Sequence, residues 1–209
     1  MDRKTKEAVR YLGYGNHAVD EKTLALIQDV FNETDRIAEH RIIYRIFDLN
    51  SIDDDCVYIE HLKIKSKNLK KNLSGCEQVI MLAATLGTEI DYVMRKYSHT
   101  DIARAAVMQA CAAVLLEEYL DEFQSSVGYY TKPRFSPGYG DFSIEFQKDI
   151  LELLQASKTI GLSITDNSML VPTKSVTAVI GISNKAVVSC GNRCMECAKT
   201  DCNYRNTKE

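Results

Sequence analysis

The sequence predicts an α+β fold: a largely antiparallel sheet with packed helices, followed by a short cysteine-rich C-terminal tail. Three observations lead there. Apolar residues recur at three- and four-residue steps in some segments, the helical period, and at two-residue steps in others, the strand period. The strand-like segments come in pairs while the helical ones cluster mid-chain, which favours antiparallel pairing over alternating β–α units. Four of the seven cysteines fall within the last twenty residues.

Each element can be justified in order. In the segment Glu21 to His40, Leu24, Ile27, Phe31, Thr34 and Ala38 mark a helix, with Asp20 as its N-cap. "RIIYRIF", Arg41 to Phe47, is rich in β-branched and aromatic residues and reads as a strand. "NSIDDD" is a polar loop, and "CVYIEHLKIK" reads as one second strand, with a bulge or bend at His61 where the alternation fails. "SKNLKKNL" places Leu69 and Leu73 one helical turn apart, with its lysines in solvent. Val79 to Ala83 is an apolar run between Gly75 and Gly87 and reads as a buried strand. Glu89 to Tyr97 forms a short helix. Thr100 or Asp101 then caps a long one reaching Phe123, apolar on most sides and therefore packed on several faces. "SIEFQKDILELLQA" is amphipathic, with Phe146, Ile150, Leu153 and Leu154 on one face, and Gly161 ends that region. Val176, Ala178, Ile180 and Ile182 alternate with their neighbours in a final strand, apolar on both faces. No internal repeat is present.

Composition bounds the function. A chain of 209 residues suits one domain with a small appendage, here residues 1–187 and a tail of 188–209. The formal net charge of -3 and sequence pI near 5.9 argue against a general nucleic-acid binder. No apolar run reaches the length of a membrane span, and "MDRKTKEAVRYLGYG" has no apolar core of a secretory signal. The expected location is the cytoplasm. There the scattered Cys56, Cys76 and Cys111 read as reduced, buried small hydrophobes.

Two segments carry chemistry. In the tail, "CGNRCMECAKTDCNYR", Cys190, Cys194, Cys197 and Cys202 are separated by three, two and four residues. Thiolates are soft ligands, and four of them this close can converge on one centre; zinc and an iron–sulfur cluster both fit. The competing reading is a set of uncoordinated or reversibly oxidised thiols. The second segment is "KPRFSPGYGDF", Lys132 to Phe142, which holds two of the three prolines and two glycines. It lacks the spacing of a phosphate loop. Pro137 sets one φ angle, Gly138 allows close approach of a ligand or neighbouring backbone, Arg134 offers a fork for a carboxylate, and Tyr139 offers a ring and a hydroxyl. The plainer reading is a tight connection between helices, with Arg134 in a surface salt bridge. His17, His40, His61 and His99 do not pair at ligand spacing, Glu117 and Glu118 read as an exposed helix edge, and no nucleophile set can be assembled.

"RFSPGYG", the amphipathic helix with "ILELL", and "GLSITDNSMLVPTKSVTAVIGIS" together resemble the activation (reactivation) domain of vitamin B12-dependent methionine synthase. The residues in question are Arg134, Pro137, Gly138 and Tyr139, then Thr165, Ser168, Met169, Pro172, Ser175 and Val176. The likeness spans residues 130–183. With "RYLGY", "YRIF" and "AATLG" in the N-terminal part, the chain looks like the short stand-alone relatives of that domain. It departs from the family pattern at Phe135 and Gly140, where prolines are usual, in "SNKAVVS", where the full-length enzyme has an aromatic pair, and in its cysteine tail. The position of the acidic ligand residue in the family's N-terminal portion is not assigned to any residue of this chain.

The resemblance implies an activation subunit that binds S-adenosylmethionine and docks on a cobalamin-binding methionine synthase chain. There it would support reductive methylation of inactive cob(II)alamin to methylcobalamin, with electrons from a flavodoxin- or ferredoxin-type donor. It implies that Arg134 pairs with the ligand carboxylate, that Ser136 and Gly138 line the ligand along the backbone, and that Tyr139 sits at the chemistry, beside the methyl group or the corrin. Two alternatives stand beside it. One is a reductive activator of another corrinoid methyltransferase, using the tail as electron carrier; the other is a non-catalytic metal-tailed binding module.

Overall fold

The computed structural model describes residues 1–14, 17–53 and 55–183. In chain order the elements are α1 (Arg3–Tyr11), α2 (Glu21–Ile37), β1 (Arg41–Asp53), β2 (Cys56–Ile59), β3 (Leu62–Lys65), α3 (Lys67–Asn72) and β4 (Cys76–Thr85). There follow α4 (Glu89–Thr100), α5 (Ile102–Ser126), β5 (Tyr130–Thr131), α6 (Phe146–Leu154), α7 (Ala156–Thr159), β6 (Ser163–Ile164), β7 (Leu170–Val171) and β8 (Ser175–Ser183). The fold is α+β. Six strands form one sheet in the order β3-β2-β1-β4-β8-β5, with antiparallel neighbours throughout, and β6 and β7 form a separate small hairpin. The described residues fall into two compact units: Met1–Ala38 with Glu89–Tyr119, and Glu39–Thr88 with Leu120 onward.

The second unit holds the sheet. β4 lies at its centre because its residues from Val79 to Thr85 are all buried, and only a strand covered on both faces tolerates such a run. Its odd-numbered residues, Val79, Met81 and Ala83, join one core with Val57, Ile59, Ile64, Phe135, Phe142, Ile150, Leu154 and Val179. Its even-numbered residues face the other way, with Ile80 opposite Ile180 and Leu82 opposite Ala178 in the β8 register. β1 pairs along β4 from Arg41↔Thr85 to Asp48↔Gln78, which turns Ile43, Phe47 and Leu49 toward the same core as Val79.

Four expectations need correction. The start of "NSIDDD", read as a polar loop, continues β1 to Asp53 and pairs with β2 from Leu49↔Ile59 to Asp53↔Cys56. The segment Cys56 to Lys65 is two strands joined at Glu60 and His61, with Glu60 at φ 51°, and not one bulged strand; the break in alternation marks a tight hairpin. The amphipathic segment is two helices, because Gln155 takes a left-handed conformation (φ 53°) after Leu154 and redirects the chain into α7. Of the scattered cysteines only Cys111 is buried, while Cys56 and Cys76 are half-buried.

The first unit is helical. Asp2 caps α1 by accepting from the Thr5 amide at 3.0 Å, and Asp20 caps α2 by accepting from the Thr23 amide at 2.9 Å. Asp101 caps α5 in the same way through the Arg104 amide at 3.0 Å. Arg104 bridges Asp29 at 2.8 Å and Glu33 at 2.5 Å, and Tyr97 donates to Glu33 at 2.7 Å, which ties α2, α4 and α5 together. The expectation that α5 is packed on several faces holds: Val107, Met108, Ala110, Cys111, Ala112 and Val114 are all buried. No described helix is long and apolar enough to cross a membrane.

Candidate functional site

The segment from Lys132 to Glu145 begins as an irregular extension of the sheet. The Lys132 amide donates to the Gly181 carbonyl at 2.8 Å, and Phe135 and Val179 exchange backbone hydrogen bonds of 2.9 Å each way. Gly181 is required here by close approach: a Cβ on it would lie 2.6 Å from Cys76 Sγ and 3.1 Å from Lys132 Cγ. Phe135 is buried and stacks on Phe142, ring centroids 6.2 Å apart, and Phe142 meets Phe146 at 5.6 Å. These rings anchor both ends of the intervening turn in the core. The stiffness expected of this segment therefore comes from packing as well as from its prolines.

Between the two anchors the chain folds back on itself. The Tyr139 amide donates to the Ser136 carbonyl at 3.2 Å, the Phe142 amide to the Tyr139 carbonyl at 3.0 Å, and the Gly138 amide to the Phe142 carbonyl at 2.8 Å. Gly138 stands at φ 92°, a conformation that L side chains rarely adopt. Pro137 is buried, whereas Gly138 and Tyr139 are exposed, Tyr139 at 59%. The tip of the turn thus presents glycine backbone and a tyrosine ring.

Asp141 fastens this turn to α3. Its carboxylate accepts from Ser66 Oγ at 2.5 Å, from the Lys67 amide at 2.7 Å and from the Asn68 amide at 3.1 Å. The Ser66 hydroxyl, then the Asn68 and Lys67 amides, hold the Asp141 carboxyl below its ordinary value. Ser66 Oγ in turn accepts from the Leu69 amide at 3.0 Å as the α3 N-cap. Asn72, at the far end of the same helix, donates to the Pro133 carbonyl at 3.2 Å. Helix α3 therefore grips the segment on both sides of Arg134.

Arg134 is held from a second direction. Its Nη2 donates to Asp121 Oδ1 at 2.7 Å and its Nη1 to Gln124 Oε1 at 3.0 Å. Asp121 and Gln124 lie one helical turn apart on α5. The salt bridge of the plainer reading is therefore present. The Arg134 side chain nonetheless keeps 17% of its surface exposed.

Of the residues singled out in sequence, the structure brings Arg134, Ser136, Gly138 and Tyr139 together in one anchored turn. Cys190, Cys194, Cys197 and Cys202 lie outside the described residues. Among the described residues no group of three or more His, Cys, Asp or Glu is placed to hold a metal ion. All four histidines are exposed, as is Glu117, and Glu118 pairs with Lys4 at 2.8 Å. Sequence reasoning missed Asp121, Gln124 and Asp141. Asp-x-x-Gln at the end of a long helix and aspartate just after a glycine turn are the available signals, and both are too common to select a site unaided.

Comparison with solved structures places the fold. A crystal structure of the MetH reactivation domain bound to AdoHcy is similar at a TM-score of 0.59 and 15% sequence identity, over 85% of this chain and 75% of that one. The fold is that of the MetH reactivation domain. At this identity the likeness is one of architecture alone. No protein-family model and no curated protein matches the sequence. On the reactivation-domain fold, the turn from Arg134 to Phe142 runs at the β8 side of the sheet, fastened by α3 and by the end of α5.

Proposed function

We propose that this chain has an activation role in which it binds S-adenosylmethionine and serves a cobalamin-dependent methionine synthase. The observation that carries the reading is the anchored, partly exposed Arg134 beside a glycine turn and an exposed tyrosine, on a fold shared with a domain solved with AdoHcy bound. The donor set suits this ligand. A guanidinium matches a carboxylate in shape and charge, glycine backbone allows close approach, and an aromatic ring favours a cationic sulfonium. Arg134 would take the amino-acid carboxylate, Ser136 and Gly138 would line the ligand through backbone groups, and Tyr139 would stand at the exposed tip, toward the partner's corrin.

When bound, S-adenosylmethionine would supply an electrophilic methyl group and leave as S-adenosylhomocysteine, the acceptor being the partner's cobalamin after one-electron reduction by a flavodoxin- or ferredoxin-type donor. What this protein contributes is orientation: the turn from Ser136 to Phe142 is stiffened so that a ligand meets a surface already in place. We further propose that residues 1–187 form the activation-like domain and that Cys190, Cys194, Cys197 and Cys202 of the tail hold zinc or an iron–sulfur cluster. The clustered cysteines favour a second reading as well, a reductive activator of another corrinoid methyltransferase in a cytoplasmic setting. Anaerobic reduction of added cob(II)alamin separates the two: transfer of one electron per tail from protein first reduced with dithionite and then freed of it supports the second reading, and reduction only when a flavodoxin- or ferredoxin-type donor is added supports the first. The ligand claim is tested by calorimetric titration of S-adenosylmethionine into the wild-type chain and Arg134→Ala; wild-type heat that vanishes in the variant supports it, and no wild-type heat refutes it.

A further inference from the structure

The amide of Gln124 is constrained on both of its atoms. Its Nε2 donates to Thr131 Oγ1 at 2.8 Å and to the Lys132 carbonyl at 3.0 Å. Both amide hydrogens thus have acceptors, one on β5 and one on the residue that follows it. Turning the amide over would set an NH2 group against the Arg134 guanidinium, donor against donor, and an oxygen against the Lys132 carbonyl. Only one orientation satisfies the site, and in it Oε1 accepts from Arg134 Nη1 at 3.0 Å. Nη2 is held separately by Asp121. Restraint on both terminal nitrogens fixes the plane of the guanidinium as well as its place, and planarity is what a carboxylate reads.

We infer that Gln124 is a positioning residue, which orients Arg134 for the carboxylate of an amino-acid-bearing ligand. The inference rests on the reading of Arg134 as the carboxylate partner. Its reason is preorganisation: a long side chain that is already ordered loses less freedom when the ligand arrives. Other residue types fit the position poorly. Glutamate would face the Lys132 carbonyl with a charged oxygen, asparagine is one methylene shorter, and leucine offers no polar atom.

The test titrates two probes into the wild-type chain, Gln124→Leu and Thr131→Val. S-Adenosylmethionine carries the carboxylate; 5′-methylthioadenosine keeps the nucleoside and lacks the amino-acid end. Gln124→Leu is expected to weaken S-adenosylmethionine by about 10-fold, the loss of one charge-assisted hydrogen bond, and to leave 5′-methylthioadenosine within about twofold. Thr131→Val keeps Gln124 but removes one acceptor of its amide, and is expected to weaken S-adenosylmethionine by about threefold. Equal losses for both probes, or unchanged S-adenosylmethionine binding, would overturn the inference. Nuclear magnetic resonance of the Arg134 guanidinium in the unliganded protein gives an independent readout. Slow rotation with resolved Nη signals is expected in the wild type and averaged signals in Gln124→Leu, and resolved signals in both would also overturn it. A wild-type chain that ignores S-adenosylmethionine while showing the expected resonance change would sink the carboxylate reading of Arg134 and leave the positioning by Gln124 standing.

Discussion

Arg134 shows how little a single side chain says until its neighbours are known. In sequence it is one of 26 basic residues; in the structure two side chains from α5 and the grip of α3 on its loop single it out. The salt bridge to Asp121 by itself contributes little stability, since half-exposed pairs are typically worth about 0–1 kcal/mol. Gly140 lies at the other extreme. At φ 56° it takes a left-handed conformation, and a Cβ there would collide with the side chain of Asn68. Gly140→Ala is expected to lower stability by about 1–2 kcal/mol in chemical denaturation. The thiols also separate at this scale. Burial pushes the Cys111 thiol up to about 12, and burial raises Cys76 as well, against the opposing pull of Lys132. Peptide mapping after brief alkylation at pH 8 is expected to find Cys111 unmodified while the half-buried Cys56 is labelled.

Among the elements, α3 has a role that its sequence did not announce. "SKNLKKNL" is legible as a short helix because Leu69 and Leu73 are four apart, and both are fully buried. Its use as a clamp depends on Asp141, 75 residues away from Ser66, and no local pattern encodes a contact of that span. The resulting pH dependence has a definite sign. Because the folded Asp141 carboxyl is held below its ordinary 3.8, its contribution is present above that value and is lost as pH falls below it. The stability gap between wild type and Asp141→Ala should therefore be full at pH 7 and shrink on acidification below 3.8, read as denaturant midpoints. A gap that stays constant into acid would remove the clamp from the account. Helix α6 makes the contrasting case, because Ile150 and Leu154 of its expected apolar face are where the sequence placed them. Ile150 and Leu154 are completely buried in the sheet core, and Leu154→Ala is expected to cost about 2–5 kcal/mol. What escaped sequence reading in this region was the left-handed Gln155, a residue type with no marked preference for that conformation.

For the whole molecule, the fold class was legible because β4 and β8 are apolar on both faces and so declare a sheet covered on both sides. Three features were not. Helix α1 is charged along "RKTKEAVRY" and buries only Thr5, Ala8 and Val9, so it offers no run of large apolar residues to mark it. The hairpins at Glu60 and at β6–β7 are too short to show alternation. The candidate site draws on α3, the end of α5, β5, β8 and the glycine turn, and only the turn announced itself in the sequence. The tail makes a separate molecular-scale prediction: anaerobically purified full chain should carry a stoichiometric metal or cluster, detected by elemental analysis and visible absorbance, that a chain lacking 188–209 does not. Absence of metal in the full chain would set the tail reading aside without touching the ligand site. The central claim is that the glycine turn and Arg134 form a cradle for S-adenosylmethionine. Isothermal titration of S-adenosylmethionine into wild type and Arg134→Ala, both checked for equal thermal unfolding, tests it most directly. The account predicts saturable binding to wild type that falls by at least about 10-fold in the variant; equal affinity in the two, or no binding to wild type, would contradict it.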